Sequence, residues 1–516
     1  MHRFITRHAD KITGVLRGFD RLVFRGHLSP LCHEGGVGRF LMSQDVLLKH
    51  FGTFVQTMTR MIRDGAEDVA GRLRIPIRYL QSARESKEKI ARQILAERKI
   101  RSGAICVLSA VEPCWSWQVR RSREHRHPQQ LRRRWTKCLH HYHYFLDREL
   151  GFCHVRVQTW MPYMVQVCIN GREWLGRQLD RQRLRYARHD NCFPHLGSPE
   201  RVQRIMDGML TLPWSSILGD LVDRANPGLR SIVNAVGRDY YWTVHQAEWA
   251  TDVMFRDAEY LARSYPRLVQ HAIREFHSPD VLRFLAKSPA APNYRGEVTT
   301  DYKRRIEGVR VKHSAKANSV KMYDKAGSVL RVETTINQPG EFKVRRRAQG
   351  NPDSDCRPRP MRKGIADFKP LAKAADRSNR AYLDALSIVD DPTTLDEVVM
   401  PVTRRASIGG RRVRGLRPWA DPDLPLLRAI GRGEFLVNGF RNRDLVPLLF
   451  PGPHDANQRK KIAAKVTRLL RLLRAHGVIE KIEGTHRYRV TPSGRRLATA
   501  VVAAGAASLS LLQQCA

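Results

Sequence analysis

Two histidines separated by one residue could share a metal ion. His141 and His143 flank Tyr142 in the stretch 135–145, which is typical of a β-strand. Because side chains alternate across a strand, both imidazoles would lie on one face, where they can bind a single divalent ion. Imidazoles that form hydrogen bonds at a strand edge would produce the same pattern. Either a metal site or a structural histidine pair is therefore expected here.

A basic hairpin with one carboxylate on its polar face could bind a polyanion. Residues 320–323 alternate between apolar and polar side chains, residues 324–327 are typical of a turn, and residues 329–336 resume the alternation. We expect this hairpin to lie at the edge of a sheet and to present its charge to nucleic acid. The basic side chains on and around it are Lys312, Lys316, Lys321, Lys325, Lys343, Arg345, Arg346 and Arg347.

Glu333 is the carboxylate expected to act in the chemistry of the protein rather than in its folding. It shares a strand face with Arg331. The alternative is a surface ion pair with a neighbouring cation, which would contribute only ~0–1 kcal/mol to stability. Replacing Glu333 should then leave the melting temperature nearly unaltered.

Other residues could supply a nucleophile or bind a metal. Tyr323 and Tyr241 are the candidate nucleophiles, with Tyr240 and Tyr302 as further choices. Two groups of three carboxylates could each hold Mg²⁺, although helix surfaces carry such carboxylates routinely. These groups are Asp239/Glu248/Asp252 and Glu297/Asp301/Glu307. A zinc site is also conceivable, with a spacing unlike that of common zinc frames; its ligands would be Cys138, His140, Cys153 and His154.

The composition favours nucleic acid as the partner. Lys and Arg number 91 against 50 acidic residues among 516, which gives a formal net charge of +41. Such a field attracts phosphates through counterion release, and arginine adds bidentate recognition of phosphate and guanine. The alternative explanation is a high-GC genome that uses Arg where others use Lys. This would change the ratio of Lys to Arg but not the net charge. Nucleic acid, DNA in the first place, is therefore the expected partner.

The cysteines and the apolar segments of the sequence indicate the cellular compartment. Nine cysteines lie scattered without C-x-x-C spacing, which predicts reduced thiols in a cytoplasmic protein. The N-terminus lacks the apolar core of a signal peptide, and the most apolar run, 497–512, is too short for a membrane span. We expect a cytoplasmic protein with no membrane partner, and a homodimer as its assembly.

The elements that must position these residues indicate an α/β (α+β) multidomain protein with a mixed sheet core and helical insertions. Apolar periodicity predicts helices over 10–24 and 41–62, and a strand, helix and strand over 75–80, 86–99 and 104–111, the order of a βαβ unit. The length implies two to four domains. The expected domains are an N-terminal α/β region at 1–118, a central α+β domain with the basic hairpin at 119–350, a Pro/Arg-rich loop, helix and linker at 351–420, and a C-terminal module at 421–516.

The C-terminal module is predicted to contain a helix at 440–450, a longer helix at 458–475 and a hairpin at 478–490. The longer helix has an apolar stripe on one side and basic residues on the other, as a recognition helix requires. Residues 469–491 resemble the winged helices of MarR-type regulators and of many replication and transposition proteins. The resemblance implies a winged helix-turn-helix domain; its DNA-binding residues would be Lys461, Lys465, Arg468, Arg471, Arg474 and Arg487.

Two further motifs resemble replication proteins. His141-Tyr142-His143 resembles the metal motif of rolling-circle replication initiators and single-strand transposases. The segment with Lys321, Tyr323 and Glu333 is similar to a stretch of phage and plasmid initiators. The resemblance implies a Mg²⁺ or Mn²⁺ ion that polarises the scissile phosphate and a tyrosine that attacks DNA. The Tyr-x-x-x-Tyr or Tyr-x-x-Lys helix of these families does not follow the histidine pair.

These patterns predict a DNA-binding protein of a mobile-element or replication system that nicks one strand with a metal ion. The alternative is a non-enzymatic winged-helix transcriptional regulator. The first function requires a metal-competent site with a tyrosine nearby, whereas the second requires only the basic surfaces.

Overall fold

The computed structural model divides the chain into two compact units. The first comprises Met1–Pro266 and Thr300–Leu383, and the second comprises Arg267–Thr299 and Asp384–Ala516. Each unit therefore draws on two separate stretches of sequence. The structure describes residues 1–82, 84–121, 129–285, 298–305, 308–348, 351, 353–387, 389, 394–432, 435, 439–483 and 485–508.

A mixed sheet of eleven strands is the main element of the fold. Its strands are β1 (Ile12–His27), β2 (Ile77–Leu80), β3 (Gly103–Arg121), β4 (Gln129–Asp147), β5 (Gly151–Gln158), β6 (Val165–Asn170), β9 (Tyr241–Phe255), β10 (Val298–Arg305), β11 (Gly308–Ala315), β12 (Asn318–Lys325) and β13 (Val329–Ile336). They lie in the order β10-β11-β12-β13-β9-β1-β6-β5-β4-β3-β2. The strands β7 (Tyr186–His189) and β8 (Cys192–Leu196) form a separate hairpin.

The helices, like the strands, are numbered in chain order. They are α1 (His2–Arg7), α2 (Glu34–Ser43), α3 (Phe51–Leu73), α4 (Lys87–Glu97), α5 (Gly171–Arg181), α6 (Pro199–Gly208), α7 (Trp214–Ala225), α8 (Gly228–Val236), α9 (Ala258–Arg274), α10 (Ser278–Phe284), α11 (Phe368–Leu386), α12 (Leu395–Thr403), α13 (Asp423–Ile430), α14 (Asn442–Leu449), α15 (Ala456–Ala475) and α16 (Pro492–Ala506). Among the described residues, no helix combines the length and the apolar character that crossing a bilayer requires.

The predicted βαβ unit is confirmed. β2 and β3 pair in parallel, and α4 connects them. The Ser86 side chain caps α4 by accepting a hydrogen bond from Lys89 N. The boundary predicted between 118 and 119 falls inside β3, and the same sheet continues to β13.

The helix predicted over 10–24 is wrong, because these residues belong to β1. This strand lies between β9 and β6 in the middle of the sheet. A strand that is covered on both faces does not need to alternate apolar and polar residues, so its apolar spacing can imitate that of a helix. Packing also explains Gly18, since a Cβ atom there would lie 2.4 Å from Met206 Cε of α6.

The hairpin of β12 and β13 is confirmed, but its predicted position at a sheet edge is wrong. β13 lies between β12 and β9, and β11 and β10 lie further out. All eight residues of β13 are buried. The local pattern that predicts a hairpin contains no information about which strands add to its outer side.

The second unit has its own apolar core. It contains α12, α13, α14, α15, α16 and two short hairpins, β16 (Ala406–Ile408) with β17 (Arg411–Val413) and β18 (Ile479–Lys481) with β19 (Tyr488–Val490). The end of the region predicted as loop, helix and linker, 351–420, includes the β16–β17 hairpin. Arg414 in this segment binds the buried Asp423 carboxylate through Nη1 and Nη2 at 2.6 and 2.7 Å. This bidentate pair attaches the segment to α13.

Asn379 attaches α11 to the sheet of the first unit. Its Nδ2 donates to the main-chain oxygens of Trp249 and Val332 at 2.9 and 3.0 Å. Its Oδ1 accepts a hydrogen bond from Thr334 Oγ1 at 2.7 Å. One buried amide therefore satisfies polar groups of both β9 and β13.

We expect Asn379→Ala to lower the free energy of unfolding by about 3 kcal/mol, because three buried hydrogen bonds are lost together. Chemical denaturation followed by tryptophan fluorescence would measure the loss. Lys373→Ala, an exposed change on the same helix, is the control and should stay within about 0.5 kcal/mol of the unaltered protein. Equal stability of the two variants would contradict this role for Asn379.

Candidate functional site

A bulge in β1 places Asp20 among the strands at the middle of the sheet. The register of β1 against β9 shifts between Phe19 and Leu22. Bulges re-aim side chains, and they are frequent beside active sites. Asp20 is buried; its Oδ1 accepts a hydrogen bond from Asn170 Nδ2 at 3.2 Å, and its Oδ2 lies 3.0 Å from Arg331 Nη1.

The register of β12, β13 and β9 brings further charged side chains to the same face. Lys321 lies opposite Glu333, and Arg331 lies opposite Asp252. Arg331 is fully buried, and its Nε and Nη2 donate to the two Asp252 oxygens at 2.5 and 2.9 Å. Burial opposes the positive charge, but the negative charges of Asp252 and Asp20, together with the hydrogen bond to Asp252, outweigh burial and raise the pKa of Arg331. This guanidinium therefore stays charged inside the protein.

Glu333 is a buried ion-pair partner. It is 1% exposed, its Oε1 lies 2.6 Å from Lys321 Nζ, and its Oε2 accepts a hydrogen bond from the Tyr323 hydroxyl at 2.8 Å. Burial alone would raise its pKa, but the charges of Lys321 and Arg331 outweigh burial and lower the pKa of Glu333. The ion pair stated as the alternative for Glu333 is present with Lys321, but it is buried and not at the surface, because β13 lies inside the sheet. Replacement of Glu333 is therefore no longer expected to leave the melting temperature unaltered.

Three carboxylates converge beside this pair. Asp20, Glu248 and Glu333 each offer an oxygen, and the three oxygens lie within 4.8 Å of one another. Burial raises the pKa of Glu248 to about 7, and the negative charge of Glu333 adds to the effect. Burial also raises the pKa of Asp20. Because like charges this close disfavour full ionisation, Glu248 retains a proton for much of the time near neutral pH.

A basic cleft adjoins the carboxylates. It has a volume of about 200 Å³ and opens beside Glu248. Amide and hydroxyl side chains complete its wall. The basic residues that line the cleft come from β11, β12 and the turn between them; they are Arg310, Lys312, Lys316 and Lys321.

This arrangement suits phosphate chemistry. Carboxylate oxygens are the ligands that Mg²⁺ and Mn²⁺ prefer, and a cation among the three carboxylates would relieve the repulsion that raises the Glu248 pKa. The neighbouring cleft supplies positive charge for a phosphate backbone. Carboxylates and basic side chains thus lie side by side.

The histidine pair lies elsewhere in the same sheet. His141 and His143 are buried on β4, with ring centres 6.2 Å apart. Ser109 Oγ lies 2.9 Å from His141 Nδ1, and burial lowers the pKa values of His141 and His143 to about 4 and about 3. Five strand spacings, about 24 Å, separate β4 from β13. The pair therefore does not join Glu333 in one site.

The two candidate nucleophiles have different surroundings. Tyr323 donates its hydroxyl proton to Glu333, and burial raises the pKa of this phenol well above its ordinary value. Tyr241 is 55% exposed at the start of β9, opposite His27. Ala250, which lies opposite Glu333, is nine residues further along β9, a distance of about 30 Å. Only Tyr323 is therefore close to the carboxylates.

Several predicted basic contacts have protein partners. Lys325 is buried and binds Asp190 at 3.2 Å and Asn191. Arg346 in β14 (Lys343–Arg346), which pairs with β15 (Arg357–Pro360), binds Asp367 at 2.8 Å. Arg345 is exposed.

The carboxylate and zinc groups predicted from the sequence do not assemble as sets. Glu248 lies in the cluster and Asp252 binds Arg331, whereas Asp239 is exposed and 3.8 Å from Arg230. Glu297 and Glu307 lie outside the described residues. Cys153 and His154 on β5 face Phe145 and Tyr144, so they lie five and four residues, respectively, from the level of His140.

In the second unit, α15 divides its surface as predicted. Val466, Leu469, Leu470 and Leu473 are buried, and Ile462 packs against them. Lys461, Lys465, Arg468 and Arg474 are exposed, and Arg471 is half-buried. Arg487, also half-buried, donates to Gly439 O at 3.2 Å.

The long β3–β4 hairpin carries an exposed aromatic pair that was not among the site residues predicted from the sequence. Trp115 and Trp135 lie opposite each other, 45% and 61% exposed, with ring centres 5.5 Å apart. The Arg133 guanidinium lies 5.4 Å from the Trp115 ring centre. Exposed aromatic faces beside arginine can stack on unpaired bases.

Comparisons with known proteins found no match of the chain with a protein family, a curated protein or a solved structure. The site is therefore interpreted from its own geometry.

We expect Glu248→Gln to stabilise the protein above about pH 7 and to have little effect at pH 5. An unfolded glutamate ionises near pH 4.5, whereas the buried Glu248 stays protonated up to about pH 7, so this carboxyl lowers stability progressively between these pH values and the loss is complete above about pH 7. Melting temperatures of both proteins from pH 5 to 8.5, without divalent ions, would measure the difference. Asp239→Asn is the exposed control. A constant difference between Glu248→Gln and the unaltered protein at every pH would contradict the raised pKa.

Proposed function

We propose that the protein binds DNA as part of a mobile-element or replication system, with the α13–α16 segment acting as a winged helix-turn-helix domain. The observation that carries the proposal is the division of α15, which buries its leucines in the core of the unit and leaves four lysines and arginines exposed. A recognition helix needs one face for its own domain and another for the major groove.

The order of elements supports this interpretation. α13 is followed by α14 and α15, and then by the β18–β19 hairpin. Phe440, just before α14, pairs with Tyr488 of β19 through a single β-bridge. Asp455 and Gln458 form a capping box that starts α15. A helix, a bridging residue, two helices and a two-stranded wing match the order of a winged helix.

We expect the full chain to bind duplex DNA, and Arg468→Ala/Arg471→Ala/Arg474→Ala to weaken binding. If all three side chains contact phosphates, the slope of log K against log salt should fall by about 2.7, since each contact contributes about 0.9. Fluorescence anisotropy at several salt concentrations would measure it.

The matched control for charge is Arg60→Ala/Arg201→Ala/Arg204→Ala, three exposed arginines of the first unit. This variant loses the same charge and should change the slope much less. Equal effects of the two triple variants would show that α15 makes no specific contribution.

A second candidate function, metal-dependent cleavage of a DNA strand, is supported by the cluster of Asp20, Glu248 and Glu333 next to the basic cleft. A Mg²⁺ or Mn²⁺ ion held by these carboxylates would polarise the scissile phosphate. The cleft residues would hold the phosphate backbone. Glu248 would either help to hold the ion as a carboxylate or, with the ion on Asp20 and Glu333 alone, take a proton from attacking water or give one to the leaving oxygen as the P–O bond breaks.

Tyrosine attack is the other route to cleavage. Tyr323 already donates a hydrogen bond to Glu333, which would receive the phenol proton as the oxygen attacks phosphorus. This route leaves a covalent protein–DNA adduct, whereas attack by water leaves none. The histidine pair remains a separate prediction for the metal, and the transcriptional regulator without catalysis remains the alternative function.

We expect the full chain to nick labelled single-stranded DNA with Mg²⁺ or Mn²⁺, and Asp20→Asn and Glu248→Gln to reduce nicking at least 100-fold, as the loss of an essential metal ligand or acid does. Denaturing gels would measure products and adducts. Tyr323→Phe and Tyr241→Phe test the nucleophile, and His141→Ala/His143→Ala tests the histidine pair.

The exposed Asp239→Asn variant should nick as the unaltered protein does. Metal-independent DNA binding with no cleavage over a range of strands would support the regulator and reject the enzyme.

A further inference from the structure

Three soft metal ligands meet where β3 and β4 pair. Cys114 lies on β3, and Cys138 and His140 lie on β4. The two Sγ atoms are 3.0 Å apart, and Cys138 Sγ lies 4.0 Å from His140 Nε2. The two sulfurs and an imidazole nitrogen all lie within 4.8 Å of one another. One ion could therefore contact all three side chains.

The hydrogen bond of His140 leaves its second nitrogen suited to a metal. Nδ1 lies 3.1 Å from the main-chain oxygen of Cys138. A carbonyl oxygen only accepts, so Nδ1 carries the proton and donates it. Nε2 then keeps its lone pair. Metal-binding histidines usually donate their other ring proton to a carbonyl or carboxylate in this way, which fixes the tautomer and the ring orientation.

The surroundings favour a thiolate-bound ion. Arg156, which lies 2.9 Å from Glu112, brings positive charge close to the two thiols. Cys114 and His140 are buried, whereas Cys138 is partly exposed and gives access from solvent.

We propose that Cys114, Cys138 and His140 bind one zinc ion and leave its fourth position for water or a substrate atom. Thiolate and imidazole ligands select zinc over Mg²⁺ and Mn²⁺, so this site is chemically distinct from the carboxylate cluster. In a tetrahedral site with Zn–S bonds of about 2.3 Å, the sulfurs lie about 3.8 Å apart. The thiols would therefore separate by about 0.8 Å on binding.

This site is independent of the proposed DNA-binding and cleavage functions. The zinc site predicted from the sequence combined Cys138 and His140 with Cys153 and His154, which lie on the neighbouring strand β5 at a different level. Cys114 is 24 positions before Cys138 and enters the site through the β3–β4 register, in which Cys114 faces Thr136. No short sequence motif contains this pairing.

The test is titration of the metal-free full chain with Co²⁺, a spectroscopic substitute for zinc. We expect one equivalent to bind with intense thiolate-to-cobalt absorption and to be displaced by Zn²⁺. Cys114→Ser and Cys138→Ser should each remove about half of the thiolate absorption and weaken binding at least 10-fold. Cys153→Ser, a buried thiol on the adjacent strand, is the matched control and should bind as the unaltered protein does.

X-ray absorption spectroscopy of the zinc-loaded, unaltered protein is a second test. It does not depend on whether the variants fold. We expect two sulfur ligands and one imidazole in the first shell. A shell of nitrogen and oxygen alone, or thiolate absorption that persists in Cys114→Ser/Cys138→Ser, would overturn the proposal. So would a chain that takes up no Co²⁺ while both thiols remain reduced.

Discussion

The buried guanidinium of Arg331 is the interaction on which the first unit depends. It joins Asp252 of β9, Asp20 of β1 and the main-chain oxygen of Asn191 between β7 and β8. Arg172 of α5 adds a second contact to Asp252 at 3.1 Å. A buried charge is tolerated only when its hydrogen bonds and counter-charges are complete, and removal of one partner typically costs about 3–5 kcal/mol.

The same network determines the geometry of the carboxylate cluster. Asp20 uses one oxygen for Arg331, and Glu333 binds Lys321 on the next strand. These ion pairs hold the two carboxylates in position before any substrate binds. Glu248 Oε1 accepts a hydrogen bond from the Gln246 side-chain amide at 2.9 Å. Burial raises the pKa of Glu248 to about 7, and the negative charges of Glu333 and Asp20 beside it add to the effect.

The sheet thus offers two chemically different metal environments. Carboxylate oxygens gather on β1, β9 and β13, whereas sulfur and imidazole gather on β3 and β4. Hard cations prefer the first set and zinc prefers the second, so the two sites need not compete for one ion. The basic cleft lies beside the first set.

Local patterns in the sequence determined the elements whose side chains interact with near neighbours. The β12–β13 hairpin, the β2–α4–β3 unit and the two faces of α15 follow from periodicities of two and 3.6 residues and from turn and cap residues. The excess of lysine and arginine likewise follows from composition. These features depend on contacts within a few residues, so they can be predicted from sequence alone.

Only the tertiary structure decided strand order and long-range register. It placed residues 12–27 in a central strand instead of a helix, and it buried Glu333 by adding β11 and β10 outside the hairpin. It also brought Asp20 to Arg331 across 311 positions and Cys114 to Cys138 across 24. Neither contact is marked by a short sequence motif, because the two partners lie on different strands. Burial and packing of the whole sheet determine how those strands pair.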